Sequence, residues 1–297
     1  TGGGGKPIPR RAVGARAGES PAGSANRFTP GAAKIAETEP APQGVGRKSP
    51  ATAGIEGAAT AVMEGLMATV REQEPRPNEQ WVSEIGDWNS RRASRLQDEE
   101  KLSGSSIKPQ RAYAELRKVM PRDAIIALDA GLAPNYGQDR LNYYEPRSLI
   151  TSLDLGGLGF SFPAAIGAKF AAPNRPVINF NGDGGFLFNA QEFSTAVQYN
   201  LPVVTVIMNN GIWGSEKAYQ RYAFDERYVG ADVVNPRFDK YAEIFGGSGF
   251  YVERPEDIGN ALEEALASGK PSIIEIPTDP DEMPRPARLA EVQAPTQ

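Results

Sequence analysis

Two short apolar runs, Val177-Ile178-Asn179-Phe180 and Val203 to Met208, flank a segment in which Phe193, Ala196 and Val197 recur at helical spacing. The stretch reads strand, helix, strand. A helical crossover between strands of one sheet is right-handed and leaves the strands parallel, so this one unit commits the chain to an α/β architecture. Gly182-Asp183-Gly184-Gly185 follows the first strand, and the second ends on Asn209-Asn210. Asp183 and Asn210 therefore fall just past the carboxyl ends of parallel strands, where open α/β sheets bind ligands. Asn189 and Glu192 precede the helical residues in the pattern of a capping box, with Asn189 as the cap.

The residue types at these positions point to a chemistry. Asp183 offers a carboxylate and Asn210 an amide carbonyl, hard oxygen ligands of the kind Mg²⁺ takes together with phosphate oxygens and water. Gly182, Gly184 and Gly185 let the backbone approach a phosphate closely, and the helix start beyond adds its dipole. The bland reading is an Asp-Gly turn and a surface Asn pair. Together, around one βαβ unit, the two elements resemble the thiamine diphosphate (ThDP) enzymes, whose cofactor motif runs from GDG to an Asn-Asn pair.

The resemblance implies Mg²⁺ held by Asp183, Asn210 and the main-chain carbonyl of Ile212. Asp129-Ala130-Gly131 matches the family's Asp-x-Gly strand end, which sets Gly131 and Leu132 against the diphosphate. Leu132 and Ala133 stand where many relatives carry polar side chains, so backbone N–H groups would make that contact. Leu158, in Gly156-Gly157-Leu158-Gly159-Phe160, matches the bulky residue wedged beneath the bent cofactor; by position alone it is equally a core leucine. Trp213-Gly214-Ser215-Glu216-Lys217, soon after the metal Asn, looks like the sulfoacetaldehyde acetyltransferase branch of the acetolactate synthase superfamily. Glu216, Lys217, Tyr219 and Gln220 are expected on a loop over the site, as substrate-facing groups or as solvated charges. Capping suits Glu192 better than catalysis does.

Composition narrows the chemistry further. The chain has 297 residues, enough for about two domains. A net charge of −5 is a poor match to a nucleic-acid binder. With no cysteine and no histidine, thiol chemistry, histidine bases and most zinc sites are excluded. Catalysis then falls to carboxylates, amides, hydroxyls, Lys, Arg or a cofactor, and ThDP carries its own hard chemistry. The longest apolar run is far short of a membrane span, and the first residues lack the apolar core of a secretory signal. The expectation is a soluble, cytoplasmic protein.

Along the chain, residues 1–60 are rich in Gly, Ala, Pro and Ser and too poor in large apolar residues to offset ordering entropy in full. Residues 1–75 resemble the tail of the family's central domain, as a partly disordered remnant in which Ala36, Glu37 and Glu39 replace what should be an apolar strand. Val62, Leu66 and Val70 place a helix within 58–71, and the charged stretch 76–105 reads as a helical connector. From there, strand and helix patterns alternate over 106–280, which predicts one doubly wound parallel sheet with helices on both faces. Residues 281–297 form a Pro-rich tail.

The resemblance implies C–C cleavage of a 2-oxo acid or related carbonyl, followed by acyl transfer. It also places a catalytic glutamate on a pyrimidine-binding domain, for which residues 1–105 show no pattern. The chain is therefore expected to supply the diphosphate and Mg²⁺ half of the site, completed in a homo-oligomer or by a separate pyrimidine-domain chain. The alternative is a catalytically incompetent cofactor-binding subunit or gene fragment. A dinucleotide enzyme is disfavoured, because no G-x-G-x-x-G follows the first strand.

Overall fold

The computed structural model describes residues 10–15, 33–40, 43, 45–46, 51–73, 77–152 and 155–283. The expected mobility within 1–60 falls in part, and the tail beyond residue 283 wholly, on residues outside these. The chain divides into two compact units, Thr1–Asp87 and Trp88–Gln297. No described helix is long and apolar enough to cross a membrane.

The first unit carries a parallel sheet of β1 (Arg10–Ala15), β2 (Ala33–Glu39) and β3 (Ala53–Glu56), in that order, followed by α1 (Ala59–Gln73). Ala36, Glu37 and Glu39 were expected to spoil a strand, yet all three lie within β2. As the central strand, β2 pairs its backbone with both neighbours, and its Thr38 is buried. The connector forms the long helix α2 (Glu79–Glu99).

The second unit holds six parallel strands: β4 (Ile125–Leu128), β5 (Leu149–Thr151), β6 (Val177–Gly182), β7 (Val203–Asn209), β8 (Ser248–Tyr251) and β9 (Ser272–Pro277). They run in the order β5-β4-β6-β7-β9-β8. Side chains alternate between the two faces of a strand, and both faces here are apolar. Ile126, Leu128, Ile178, Phe180, Val204, Val206 and Ile274 pack beneath α3 (Pro109–Val119), α4 (Leu132–Arg140) and α10 (Ile258–Ala267). Their neighbours Ile125, Ala127, Val177, Val203, Ile207 and Ile273 pack beneath α5 (Ser161–Ala171), α7 (Glu192–Gln198) and α9 (Phe238–Ile244). The second face is fastened by aromatic contacts, with Phe162, Phe193, Tyr241 and Phe245 in one cluster. Burying one such ring contributes about 1.5–3 kcal/mol.

Local signals set the element ends. Pro109 opens α3, where its missing N–H costs nothing, and Pro121 follows its cap. Asn200, at φ 51°, ends α7 in the left-handed conformation, and Leu201 N–H closes back on the Ala196 carbonyl. Gly269, at φ 63°, does the same after α10. The strand order reverses between β4 and β6, since β5 lies on one side of β4 and the later strands lie on the other. Such a reversal opens a crevice at the carboxyl ends of the strands, the usual ligand position in this architecture.

Candidate functional site

A cavity of about 450 Å³ opens at that reversal. Asp129 closes β4, Asp183 follows β6 and Asn210 follows β7, and all three line it together with Gly131, Leu132, Leu158, Gly182, Gly184, Gly185 and Ile212. Of the residues singled out in sequence, Glu216 also lines it; Lys217, Tyr219 and Gln220 are not among the lining residues. Their segment is not a loop but the helix α8 (Gly214–Ala223), anchored by buried Ala218. Lys217 pairs with Asp232 at 2.8 Å, and Gln220 binds both the N–H and the carbonyl of Val229. These two side chains hold the following turn together.

Asp183 is 2% exposed and opens a short helix, α6 (Asp183–Leu187). Its Oδ2 accepts the Gly211 N–H at 2.9 Å and Asn235 Nδ2 at 2.6 Å. Burial pushes its carboxyl above the usual carboxylate range, against the pull of these donors. Its described partners are an amide and backbone N–H groups, with no cation among them, so a dication beside Oδ1 would relieve the burial of its charge. Asn210 turns its Oδ1 back over its own turn, toward the Ile212 N–H at 3.3 Å. An antiparallel bridge joins Ile212 to Asp232 through Trp213 N–H to Ala231 O and Val233 N–H to Gly211 O. That pattern leaves the carbonyl of Ile212 itself unengaged by the bridge. One carboxylate, one amide oxygen and one main-chain carbonyl that the bridge leaves unused, on residues that line a cavity, are the donor types that suit a Mg²⁺ taking its other ligands from phosphate and water. Among the described residues, no three Asp, Glu, His or Cys side chains cluster as an all-protein metal cage.

The glycines act partly through packing. A methyl group at Gly184 would lie 2.5 Å from the Trp213 ring, and one at Gly185 would lie 2.5 Å from Asp129 Oδ2. At Gly182 it would meet nothing within 4 Å, so Gly182 alone of the three has room for a side chain. Gly184→Val should therefore force the indole off its seat, at about 1–3 kcal/mol for overpacking. The expected result is a lower melting temperature with altered tryptophan fluorescence, while Gly182→Ala melts as the unsubstituted chain does. Equal melting of all three proteins would show that the indole moves aside freely.

The capping box does not form. The Asn189 side chain instead donates to the Gly159 carbonyl at 2.8 Å, α7 starts at Glu192 with Gln191 as its cap residue, and no side chain caps it. Glu192 accepts from Thr195 Oγ1 one turn on, a local contact. Thirty residues of chain separate Asn189 from Gly159, a pairing that local spacing does not reveal.

Leu158 is half-buried and stands outside both core clusters, with its Cδ2 3.9 Å from where a methyl group on Gly131 would sit. The loop bearing it is pinned by Asp129. Oδ2 of that carboxylate accepts the Gly159 N–H at 2.9 Å and Asn181 Nδ2 at 2.8 Å, and Oδ1 accepts the Ser161 N–H at 3.3 Å. Asp129 thus satisfies donors at the start of α5 from a neighbouring strand. Burial raises its carboxyl too.

Several residues of the site were not singled out in the sequence. Asn135, one turn into α4, lines the cavity and supplies a polar side chain beyond Leu132 and Ala133. Asn235 holds Asp183, and Nδ2 of Asn235 also reaches Asn209 Oδ1 at 2.9 Å. Glu275 on β9 is 1% exposed and accepts Asn209 Nδ2 at 2.8 Å. A charged residue inside Ser272-Ile273-Ile274-Glu275-Ile276 was the available signal, since a buried carboxylate in an apolar strand needs partners. Asn235 had none, because its partners are distant in sequence.

Comparison with known proteins identifies a family for the residues that build this cavity. Residues 129–276 match the family model described as thiamine pyrophosphate enzyme, C-terminal TPP binding domain. The chain is similar to sulfoacetaldehyde acetyltransferase of Castellaniella defragrans, 32% identical over 71% of this chain and 38% of that protein. It is similar to a probable acetolactate synthase of Mycobacterium bovis, 38% identical over 62% of this chain and 34% of that protein. A probable acetolactate synthase large subunit of Methanocaldococcus jannaschii is 32% identical over 96% of this chain and 49% of its own length. The chain spans half or less of the length of these curated relatives. Through its 129–276 domain, this chain belongs to the thiamine pyrophosphate enzymes, as the C-terminal TPP-binding domain of the acetolactate synthase-like group.

Proposed function

We propose that this chain provides the diphosphate- and Mg²⁺-binding half of an enzyme that cleaves a 2-oxo acid or related carbonyl and transfers the acyl group. The observation that supports it is that Asp183, Asn210 and Ile212 all line one cavity, where the Asp183 carboxylate is buried with no cation among its described partners. In this reading those three oxygens hold Mg²⁺, and Gly182, Gly131 and Leu132 offer backbone to the diphosphate. Leu158 supports the cofactor from below. Bound ThDP supplies the electron sink for breaking a C–C bond beside a carbonyl.

The chain's own acid–base resources are limited. Of the carboxylates lining the cavity, Asp129 binds the Leu158 loop and Asp183 faces the metal position, which leaves Glu216. Acid–base help at the pyrimidine end is then expected from a pyrimidine-binding domain outside these 297 residues. Sulfoacetaldehyde and pyruvate are the first substrates to test, the former from the name of one relative. The test of the cofactor reading is a calorimetric titration of the chain with ThDP in Mg²⁺ and in EDTA. Saturable binding in Mg²⁺ that disappears in EDTA is expected; no binding in Mg²⁺, or binding unchanged by EDTA, contradicts it.

A further inference from the structure

We infer that Glu275 is a positioning residue for the metal site, acting through Asn209 and Asn235 to fix the hydrogen bond that holds Asp183. This inference rests on the cofactor reading above. Four side chains form one line: Glu275 Oε1 accepts Asn209 Nδ2 at 2.8 Å, Asn209 Oδ1 accepts Asn235 Nδ2 at 2.9 Å, and Asn235 Nδ2 reaches Asp183 Oδ2 at 2.6 Å. The line runs from the last strand, across β7, to the residue that opens α6.

Its direction follows from donor and acceptor counting. The two ends of a side-chain amide are alike in shape, so only its partners decide which end faces where. Glu275 is used as an acceptor on both oxygens, since Oε2 takes the N–H groups of Phe238 and Asp239 at 2.7 and 3.3 Å. Asn209 must then turn its NH₂ toward Glu275 and its carbonyl toward Asn235. Asn235 must in turn direct its NH₂ at both Asn209 and Asp183. Its own Oδ1 is left buried with no partner. Turning that amide over would set its oxygen against Asn209 Oδ1 and Asp183 Oδ2, so one unpaired carbonyl is retained to keep the donors aimed at the carboxylate.

Glu275 also acts on Asn235 through the backbone. By accepting from Phe238 and Asp239 it fixes the start of α9, three residues beyond Asn235. With Oδ2 of Asp183 occupied by Asn235 and Gly211, Oδ1 is the oxygen presented for a metal. Partners behind a metal ligand set its rotamer, and their loss commonly weakens metal affinity.

These pairings predict an outcome that a general packing role does not. In Glu275→Gln, one amide end must face a donor, either Asn209 Nδ2 or the α9 N–H groups. In Asn209→Asp, two carboxylates meet across the 2.8 Å contact. Combined, the two changes restore every pairing. The new amide on β9 donates to the new carboxylate on β7, its oxygen accepts from α9, and the new carboxylate accepts from Asn235. Calorimetry of the full chain with ThDP and Mg²⁺ should show each single variant binding about 10- to 100-fold more weakly. The double variant should return to within about threefold of the unsubstituted chain, the signature of coupled neighbours. Singles that bind normally, or a double variant no better than the weaker single, would overturn the inference. If Glu275→Gln does not fold, Asn235→Ala carries the test, because it breaks the line and leaves the α9 start intact; unchanged affinity there also overturns it. An unsubstituted chain that shows no Mg²⁺-dependent binding would instead overturn the cofactor reading itself.

Discussion

Asp183→Ala is expected to abolish Mg²⁺-dependent ThDP binding and leave the second unit folded. The carboxylate is the only charged group among Asp183, Asn210 and the Ile212 carbonyl, so its removal leaves two neutral oxygens, which hold Mg²⁺ poorly. Loss of groups that merely stand behind metal ligands costs about 10–100-fold, so loss of the ligand should exceed about 100-fold. The fold should tolerate the change. Gly211 and Asn235 lose an acceptor, but a carboxyl group raised by its own burial is removed with it. Asp183→Asn separates charge from shape, since it keeps the side chain's size and should bind almost as poorly as the alanine variant. Calorimetry with circular dichroism measures both sides; unchanged affinity in either variant would reduce Asp183 to a helix-start residue.

The largest stability effect is expected at Asp129. Asp129→Ala strands three buried donors at once: the Gly159 and Ser161 N–H groups and Asn181 Nδ2. Each unpaired buried donor costs about 1–3 kcal/mol, so a total of about 3–5 kcal/mol is reasonable after local relaxation. For a domain of this size that lowers the melting temperature by roughly 10 °C. The damage should spread, because Asn181 Oδ1 also accepts from Ser161 Oγ and from Asn179, which reaches Thr205 on β7. Leu158 sits on the released loop, so cofactor affinity should fall as well. Asp257→Ala breaks only the exposed pair with Arg254 and should melt unchanged. If the Asp129 variant melts within about 2 °C of the unsubstituted chain, the network does not hold the loop.

Local sequence carries some parts of this site and not others. Val177–Phe180 and Val203–Met208 announce themselves because a buried strand is a short apolar run, and Asp183 and Asn210 are read from where those runs stop. Helices on both faces follow from the alternation of patterns. What escapes is contact at long range. Asn189 has the spacing of a cap, but its amide has a better partner in the Gly159 carbonyl, delivered by another loop. The helix Gly214–Ala223 buries only Ala218, so it lacks the apolar stripe by which helices are recognised. Asn235 sits in an aperiodic stretch, and only the folded chain brings it against Asp183. Glu275 was the exception, visible as a charge within an apolar strand, although its partners were not. The glycines carry a second constraint that the motif does not show: Trp213 and Asp129 lie against Gly184 and Gly185 and leave no room for a side chain.

Asp183, Asn210 and the Ile212 carbonyl are proposed above to form one metal site. Crystals of the chain grown with ThDP and Mn²⁺ in place of Mg²⁺ test it most directly, since Mn²⁺ scatters anomalously and takes similar oxygen ligands. The predicted result is a single strong anomalous peak at metal–oxygen bonding distance, about 2.1 Å, from all three oxygens, with phosphate and water completing an octahedron. A peak elsewhere, or bound ThDP with no peak between β6 and β7, would contradict it.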